Sequence, residues 1–443
     1  MEQEEMKQQI KLGVVCLART TFDYKAAEEI YGKVKRNLNK LENAEIIAVD
    51  ELVIEIEDAR SAADKLAREQ VDALVCISGT FHLGHLVLEI NRELNKPILL
   101  WGLNELPYDG GKIRLNSVCG VNLNASNLYK AGIKNYTVHV GDSIDEDWVD
   151  AIRIEAALRT AHVGLAGFRA HGFFNLGVYD LNAYSSFGVL IDHYELADVF
   201  NHKVEEKLIK LRSEEIHDTF DISGVTTQQV DQVSALAAKL DGFMDTNNLT
   251  ALALRCWPEF AGTYGISPCA AMSLLQSQNR IIACEGDVEG ALSMIAHRAV
   301  GAETPFLFDF SQINFEENYA LLWHCGVAPA NLHDGKSVRS LDTYFAGGKG
   351  VTADFVLKDG DVSILRFDGT SEEYRVFLQR AEGVPMEKEL RGTYLKVKFE
   401  DNVRDVMDRV VYNGVAHHAS MVYGDFIRPF EIFARIKNWR VIT

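Results

Sequence analysis

The sequence predicts an α/β protein with two doubly wound parallel-sheet domains, followed by a β-rich, small barrel-like C-terminal domain. Three observations carry this reading. Short apolar runs alternate with amphipathic helical stretches through the first two thirds of the chain. After about residue 330 the pattern changes to apolar–polar alternation with period two. The length of 443 residues gives about three domains at roughly 150 residues each, and only eight prolines leave little room for long linkers. The expected domains are 1–145, 146–325 and 326–443.

In the first domain, residues 11–18 read as a buried strand and 22–41 as a helix. The strand 44–50 and helix 59–69 follow, then the strand 71–78, the helix 83–94, and strands at 96–103 and 135–142. Apolar runs alternating with helices are the pattern of parallel strands covered on both faces. Ligands of such sheets sit at the carboxyl ends of strands. That singles out Arg19-Thr20-Thr21 after the first strand and Gly79-Thr80-Phe81-His82 after the third.

The second domain opens with a helix over 146–161 and a strand over 161–170 that ends in Arg169 and His171. Further strands are expected at 249–260, 280–287 and 304–310. In the third domain, residues 351–369 alternate around Lys358-Asp359-Gly360-Asp361, a hairpin signal. Strands at 374–380 and 393–400, a helix, and a last strand at 438–443 complete the chain.

Composition narrows the function classes. With 45 Lys+Arg against 64 Asp+Glu the net charge is −19, so the surface repels phosphate backbones and general nucleic-acid binding is excluded. A polybasic membrane anchor is excluded on the same ground, although a local arginine can still recognise a small anion. Seven scattered cysteines without a C-x-x-C pair make no disulfide framework, and Cys16, Cys76 and Cys284 lie in apolar runs as reduced thiols. The acidic, polar N-terminus lacks the basic and apolar regions of a signal peptide, and no run reaches the ~18 apolar residues of a membrane span. A cytoplasmic location is expected.

Four segments place chemistry-bearing residues where buried strands should end. Cys284-Glu285-Gly286-Asp287-Val288-Glu289-Gly290 runs from strand to helix. Its carboxylates suit a cation, and equally suit a helix N-terminus, with Asp287 capping. Asp309, inside Phe306-Leu307-Phe308-Asp309-Phe310, is costly unless paired or metal-bound. His324, before Cys325-Gly326, fits either a core histidine or a ligand. Of the adjacent His417 and His418, at most one is expected to be a ligand, because neighbouring side chains diverge. Two carboxylates with one or two imidazoles make an oxygen–nitrogen site of the kind that suits Mn²⁺ or Mg²⁺. No G-x-G-x-x-G follows the first strand and no phosphate-loop motif occurs; the glycine-rich segment 345–350 reads as a turn.

The segment from Cys284 through Met294 resembles the glutamate-bearing metal motif of the L-fucose isomerase family. Asp309 is similar to that family's second carboxylate ligand, and His417-His418-Ala419-Ser420 resembles its C-terminal Asn-His-Gly segment, which aligns the ligand histidine with His418. The resemblance spans essentially the whole chain. It implies a metal-dependent aldose–ketose isomerase working through a cis-enediol(ate), usually with Mn²⁺, with Mg²⁺ or Co²⁺ as alternatives. Glu285 and Asp309 would be catalytic as well as ligands, with His418 and His324 completing the metal set. His324 stands where the related arabinose isomerases carry a further histidine ligand.

The resemblance also implies a homo-oligomer whose active site lies between subunits, closed by the neighbour's N-terminal domain. Arg19 resembles a family arginine that contacts substrate. From their positions at strand ends, His82, with His85 nearby, would either reach a neighbouring subunit's substrate or pack locally, and Trp257 and Glu259 would line the sugar pocket, with a core tryptophan the equal alternative. The chain departs from the L-fucose enzymes in its His-Cys-Gly at 324–326, in His417 where they carry Asn, and in being shorter. Those departures leave L-fucose, D-arabinose, L-arabinose and an acidic or sulfonated hexose open as substrates. Two other readings compete: a metal-dependent hydrolase, and a non-catalytic sugar-binding protein of the same fold.

Overall fold

The computed structural model describes residues 7–344, 348–370 and 373–443. The first six residues, and positions 345–347 of the glycine-rich segment read as a turn, lie outside the described residues. The chain divides into two compact units, residues 1–156 with 428–440, and residues 157–427 with 441–443.

The first unit alternates strand and helix as expected: β1 (Ile10–Leu17), α1 (Tyr24–Leu38), β2 (Ala44–Ala48), α2 (Ile56–Arg68), β3 (Ala73–Ser78), α3 (His85–Leu94), β4 (Ile98–Gly102), α4 (Ser117–Lys130), β5 (Tyr136–Val140) and α5 (Glu146–Thr160). The strands form one parallel sheet in the order β2-β1-β3-β4-β5, with the order reversing at β1. Local chemistry sets the helix ends. Asp23 accepts from the Ala26 N–H at 3.1 Å to start α1, and Glu55 with Asp58 makes a reciprocal capping box for α2. Asn95 takes the left-handed conformation that ends α3. Arg153 of α5 is buried; its guanidinium bonds Asp150 and the carbonyls of Gln8, Glu42 and Asn43, which ties the helix to the starts of β1 and β2.

The second unit opens with β6 (His162–Ala166), α6 (Asp180–Phe187), β7 (Leu190–Tyr194), α7 (Leu196–Phe200), α8 (Glu206–Thr219), α9 (Thr227–Thr246), β8 (Ala251–Leu254), α10 (Cys269–Gln276), β9 (Ile282–Cys284) and α11 (Val288–Ala299). Its parallel sheet runs β7-β6-β8-β9. The strands expected over 161–170 and 249–260 are shorter than the apolar runs that suggested them, because both chains leave the sheet into loops at Gly167 and Arg255.

The chain then becomes antiparallel apart from a parallel β13–β16 pairing: β10 (Phe306–Asn314), β11 (Tyr319–His324), β12 (Ser340–Thr343), β13 (Val351–Val356), β14 (Gly360–Gly369), β15 (Tyr374–Val384), β16 (Thr393–Phe399), α12 (Val403–Tyr412) and β17 (His418–Tyr423). Helix α13 (Ile427–Lys437) belongs mostly to the first unit, and β18 (Arg440–Ile442) edges the large sheet. That sheet runs β12-β13-β16-β11-β10-β17-β14-β15-β18. A further β15–β16 pairing closes β16-β11-β10-β17-β14-β15 into a barrel, which leaves those strands no open edge toward one another.

Two features bear on the expected second and third domains. The strand at 304–310, assigned from sequence to the second α/β domain, pairs antiparallel with β11 and β17 and is a barrel strand. One continuous core joins the parallel layer to the barrel: Leu252, Leu254 and Ile282 pack with Phe306, Phe308, Leu322 and Ile364.

Candidate active site

The β9–α11 junction supplies the first acid. Glu285 has φ 62°, in the left-handed region, and Gly286 follows at φ 73°. A Cβ on Gly286 would stand 2.5 Å from the Phe168 carbonyl oxygen, so glycine is required there for space as well as for conformation. The turn is held by Gly286 N–H donating to Leu254 O at 3.1 Å and Ala170 N–H donating to Glu285 O at 2.9 Å. A non-glycine residue held in this region costs of order 1 kcal/mol or more and persists where surrounding structure enforces it. The turn aims the Glu285 side chain at the barrel mouth. Asp287 caps α11, accepting from Gly290 N–H at 2.8 Å.

The barrel supplies the rest by register. Asp309 in β10 is the cross-strand partner of His418 in β17, and on its other side pairs with Trp323 of β11. Phe306 and Phe308 enter the core while Asp309 alternates to the opposite face. His324 ends β11 beside it. The β10–β11 register slips between Phe310 and Gln312, a bulge next to the site.

The result is a tight cluster. His418 Nε2 lies 3.5 Å from Glu285 Oε2 and 3.3 Å from Asp309 Oδ1, so one nitrogen touches both acids. Its other nitrogen, Nδ1, lies 3.0 Å from Asp287 Oδ2. Asp287 also receives the Arg366 guanidinium, which reaches Glu289 Oε2 at 3.3 Å. Arg366 and His418 are both fully buried. His417 Nε2 stands 3.3 Å from Glu285 Oε2, and its Nδ1 is 3.0 Å from Asn175 Nδ2.

Charge follows geometry. Burial pushes the Asp287 and Asp309 carboxyls up, but Arg366 and His418 around Asp287, and His324 and His418 around Asp309, hold both below the usual carboxylate range. Burial would depress His418, yet its contacts with Asp287 and Asp309 push it up to about 10. Glu289, deeper and flanked by Asp368 and Asp287, is pushed by burial up to about 7 despite Arg366.

The donor set fits a divalent cation. Glu285, His417 and His418 each present a ligand atom within 4.8 Å of the others, and so do Asp309, His324 and His418. The buried Nε2 atoms of His324 and His418 have no hydrogen-bond partner of good geometry. A polar atom left so in a protein interior is expensive unless something binds it. The Asp287–His418 contact is of the kind by which a carboxylate orients an imidazole and raises its basicity. Beside the cluster lies a cavity of about 120 Å³, lined in part by Trp257, Glu285, Asp309, Trp323, His324 and Cys325.

Of the residues predicted from sequence, Glu285, Asp309, His418 and His324 come together, and Trp257 lines their cavity. Glu259 instead pairs with Arg255 at 2.9 Å. Arg19 and His82 belong to the other compact unit and are not part of this cluster. Arg19 follows β1, where its N–H donates to Thr80 Oγ1 at 2.9 Å. His82 is fully buried, its Nε2 lies 3.0 Å from Ser78 Oγ, and burial pushes it down to about 4, an environment that matches the local-packing alternative. At most one of the paired histidines was expected to be a ligand, yet both stand near the same acid. His417 precedes β17 and is free of strand alternation, so both imidazoles reach Glu285.

Sequence reasoning missed Arg366. Its signal was present, since a cation among Ile364, Leu365 and Phe367 in a strand is as costly as an acid there unless paired.

Residues 13–159 match the N-terminal domain of the fucose/sulfoquinovose isomerases. The chain is 26% identical over 434 residues to the sulfoquinovose isomerase of Priestia aryabhattai, covering 96% of this chain and 97% of that protein. It is 24% identical over 422 residues to the sulfoquinovose isomerase of Clostridium sp. (strain MSTE9), covering 91% and 92%. Among solved structures, a periplasmic solute-binding protein from Actinobacillus succinogenes with bound D-allose is 10% identical, covers 65% of this chain and 92% of its own, and has a TM-score of 0.18, a likeness too slight to carry an argument. No helix among the described residues is long and apolar enough to cross a membrane.

Proposed function

We propose that this L-fucose isomerase-like enzyme, a sugar isomerase, interconverts a sulfonated aldose and its 2-ketose through a cis-enediol(ate), with a divalent cation held by Glu285, Asp309 and His418 and with His324 beside them. The observation that carries the proposal is the approach of both carboxylates to one imidazole nitrogen, His418 Nε2, within 3.5 Å. The sulfonated substrate class rests on the names of the relatives, sulfoquinovose isomerases. Mn²⁺ is the expected ion, with Mg²⁺ or Co²⁺ as alternatives.

When bound, such an ion supplies Lewis-acid stabilisation of the charge that develops on the sugar oxygens. The chain's own residues do the remainder. One carboxylate of the Glu285–Asp309 pair takes the proton from C2 and returns it to C1; the other moves the hydroxyl proton from O2 to O1. Oxidation at one carbon balances reduction at the next, so no nicotinamide or flavin is consumed. Asp287, itself held by Arg366, fixes His418 through Nδ1 and leaves Nε2 facing the acids. Trp257 offers a ring to the C–H face of the sugar, backed by Phe173 at 6.0 Å.

A cavity of about 120 Å³ is small beside the ~300–1,000 Å³ of whole-ligand pockets. It accommodates the reacting end of a hexose and leaves the distal end outside. That supports a homo-oligomer in which a neighbouring subunit closes over the sugar, with Arg19 of that neighbour near the anionic end. The test is a panel of aldoses, sulfoquinovose included, incubated with the Mn²⁺-loaded enzyme in deuterated water. Ketose formation with deuterium at C1, and deuterium at C2 of the recovered aldose, is expected. Release of a cleaved product without exchange at C2 would favour a hydrolase, and binding without either would favour a sugar-binding protein. Sedimentation that returns a fully active monomer would overturn the inter-subunit site.

A further inference from the structure

Four thiols meet behind the acids. Cys256 and Cys284 bring their Sγ atoms to 3.1 Å, and Cys269 and Cys325 to 3.8 Å. Cys284 also hydrogen-bonds Cys325, so the four form a chain rather than two isolated pairs. All are free cysteines. They come from four separate places: the loops after β8 and β11, the start of α10 and the end of β9. The isomerisation described above uses none of them. No three of them are grouped as ligands able to share one ion among the described residues, which sets aside a thiolate metal site.

Three of the four, Cys256, Cys269 and Cys325, line the same cavity as Glu285, Asp309 and His324. Cys325 is the least buried of the four. A cavity of about 120 Å³ holds several water molecules, since one needs only roughly 10–15 Å³ by the same measure. A molecule little larger than water therefore reaches Cys325.

We propose that Cys325 and Cys269 form a peroxide-reactive dithiol site, in which Cys325 is oxidised first and Cys269 resolves it to a disulfide. In the first step the Cys325 sulfur attacks hydrogen peroxide: an S–O bond forms, the O–O bond breaks, and the thiol proton leaves with the departing hydroxide as water. In the second the Cys269 sulfur attacks the sulfenic acid: an S–S bond forms, the S–O bond breaks, and a second water carries off the Cys269 proton. Two thiols lose two electrons and one peroxide gains them.

The consequence for the site follows from covalent geometry. A disulfide needs its sulfurs at ~2.05 Å, so closing the present 3.8 Å gap draws Cys325 toward α10. His324 must follow, because Cys325 N–H donates to its Nδ1 at 2.9 Å and Cys325 Sγ lies 3.3 Å from the same atom. Oxidation then displaces the imidazole whose Nε2 faces the acids, and reduction restores it. This loss-of-activity arm rests on the isomerase reading; the disulfide itself does not.

The test treats the full-length protein with a small excess of hydrogen peroxide, blocks residual thiols, and maps peptides by mass. The expected result is a Cys269–Cys325 linked peptide, a loss of two titratable thiols from the seven, and recovery of all seven with dithiothreitol. Cys269→Ser should abolish the link and leave a Cys325 sulfenic acid that dimedone traps; if that variant fails to fold, Cys269→Ala serves, and the wild-type map decides in either case. Isomerase turnover should fall at least tenfold with the disulfide and return on reduction. A link between Cys256 and Cys284 instead, or oxidation confined to the exposed Cys119, overturns the proposal. A correct link with unchanged turnover overturns the displacement of His324 but not the dithiol site, and absence of turnover before oxidation points to the isomerase reading alone.

Discussion

Replacing Arg366 by Met removes the one cation that two buried acids share. Arg366 bonds Asp287 and, at 3.3 Å, Glu289, with no exposure of its own. Breaking a buried pair by deleting one partner costs roughly 3–5 kcal/mol, because the survivor is left charged in a poor solvent. The two acids do not respond alike. Asp287 keeps Gly290 N–H and His418, so it stays ionised. Glu289 keeps the Gly369 N–H at 3.0 Å and the Tyr374 hydroxyl, neither of them a cation, and it already sits at about 7. Without Arg366 its pKa rises further, and it escapes part of the penalty by binding a proton. The cost should therefore lie near the lower end at pH 6 and grow toward pH 8. At roughly 2–4 °C per kcal/mol for a unit of this size, the melting temperature should fall by on the order of 10 °C at pH 8 and less at pH 6. Arg366→Lys should lose less, since a charge remains without the second arm. Calorimetry of both variants at the two pH values checks this. A melting temperature within about 2 °C of wild type, or a penalty that shrinks as pH rises, would refute the reasoning.

Three further outcomes are expected. Glu285→Gln and Asp309→Asn should fold normally yet lose isomerisation by more than a hundredfold; deuterium exchange at C2 measures it, and activity within tenfold of wild type, only ~1.4 kcal/mol of barrier, would remove these residues from proton transfer. Mn²⁺ should raise the melting temperature and release about one proton at neutral pH, because His418, held at about 10, must lose its proton to ligate; affinity therefore tightens as pH rises, and calorimetry in two buffers of different ionisation enthalpy reads the proton count. His82 is buried neutral at about 4 against an ordinary 6.5, so the unfolded chain binds the proton first. The N-terminal unit should lose about 3 kcal/mol as pH falls through that window, with His82→Asn flattening the dependence in denaturant titrations.

The N-terminal sheet was legible because each of its strands carries its own apolar run and the first two helices carry their own caps, so local pattern and final contacts agree. The barrel was legible only as β structure. Its closure depends on β15 meeting β16, and its inclusion of β10 depends on pairing with a strand more than a hundred residues away. Period-two alternation says which face a side chain takes, not which strand lies beside it, and an apolar run such as Phe306–Phe310 suits a parallel layer and a barrel equally well.

The site shows the same division between what costs are local and what partners are distant. Asp309 could be singled out because an acid in an apolar strand must be paired, and the argument needs no knowledge of the partner. Arg366 satisfied the same condition and would have been found by applying it to cations. His82 satisfied it too, yet its partners proved to be Ser78 and its own sheet. Burial of a polar residue therefore predicts that a partner exists and leaves open whether that partner is protein or ligand. What separates His418 and His324 from His82 is a nitrogen left over after the protein's own bonds are counted: His82 Nε2 has Ser78 Oγ at 3.0 Å, whereas His418 Nε2 and His324 Nε2 are buried beside carboxylates without a well-formed bond. That leftover nitrogen is a property of the assembled fold. It is also the property the Mn²⁺ proton-release measurement reads directly, since His418→Ala should remove the released proton while His82→Asn should leave it in place.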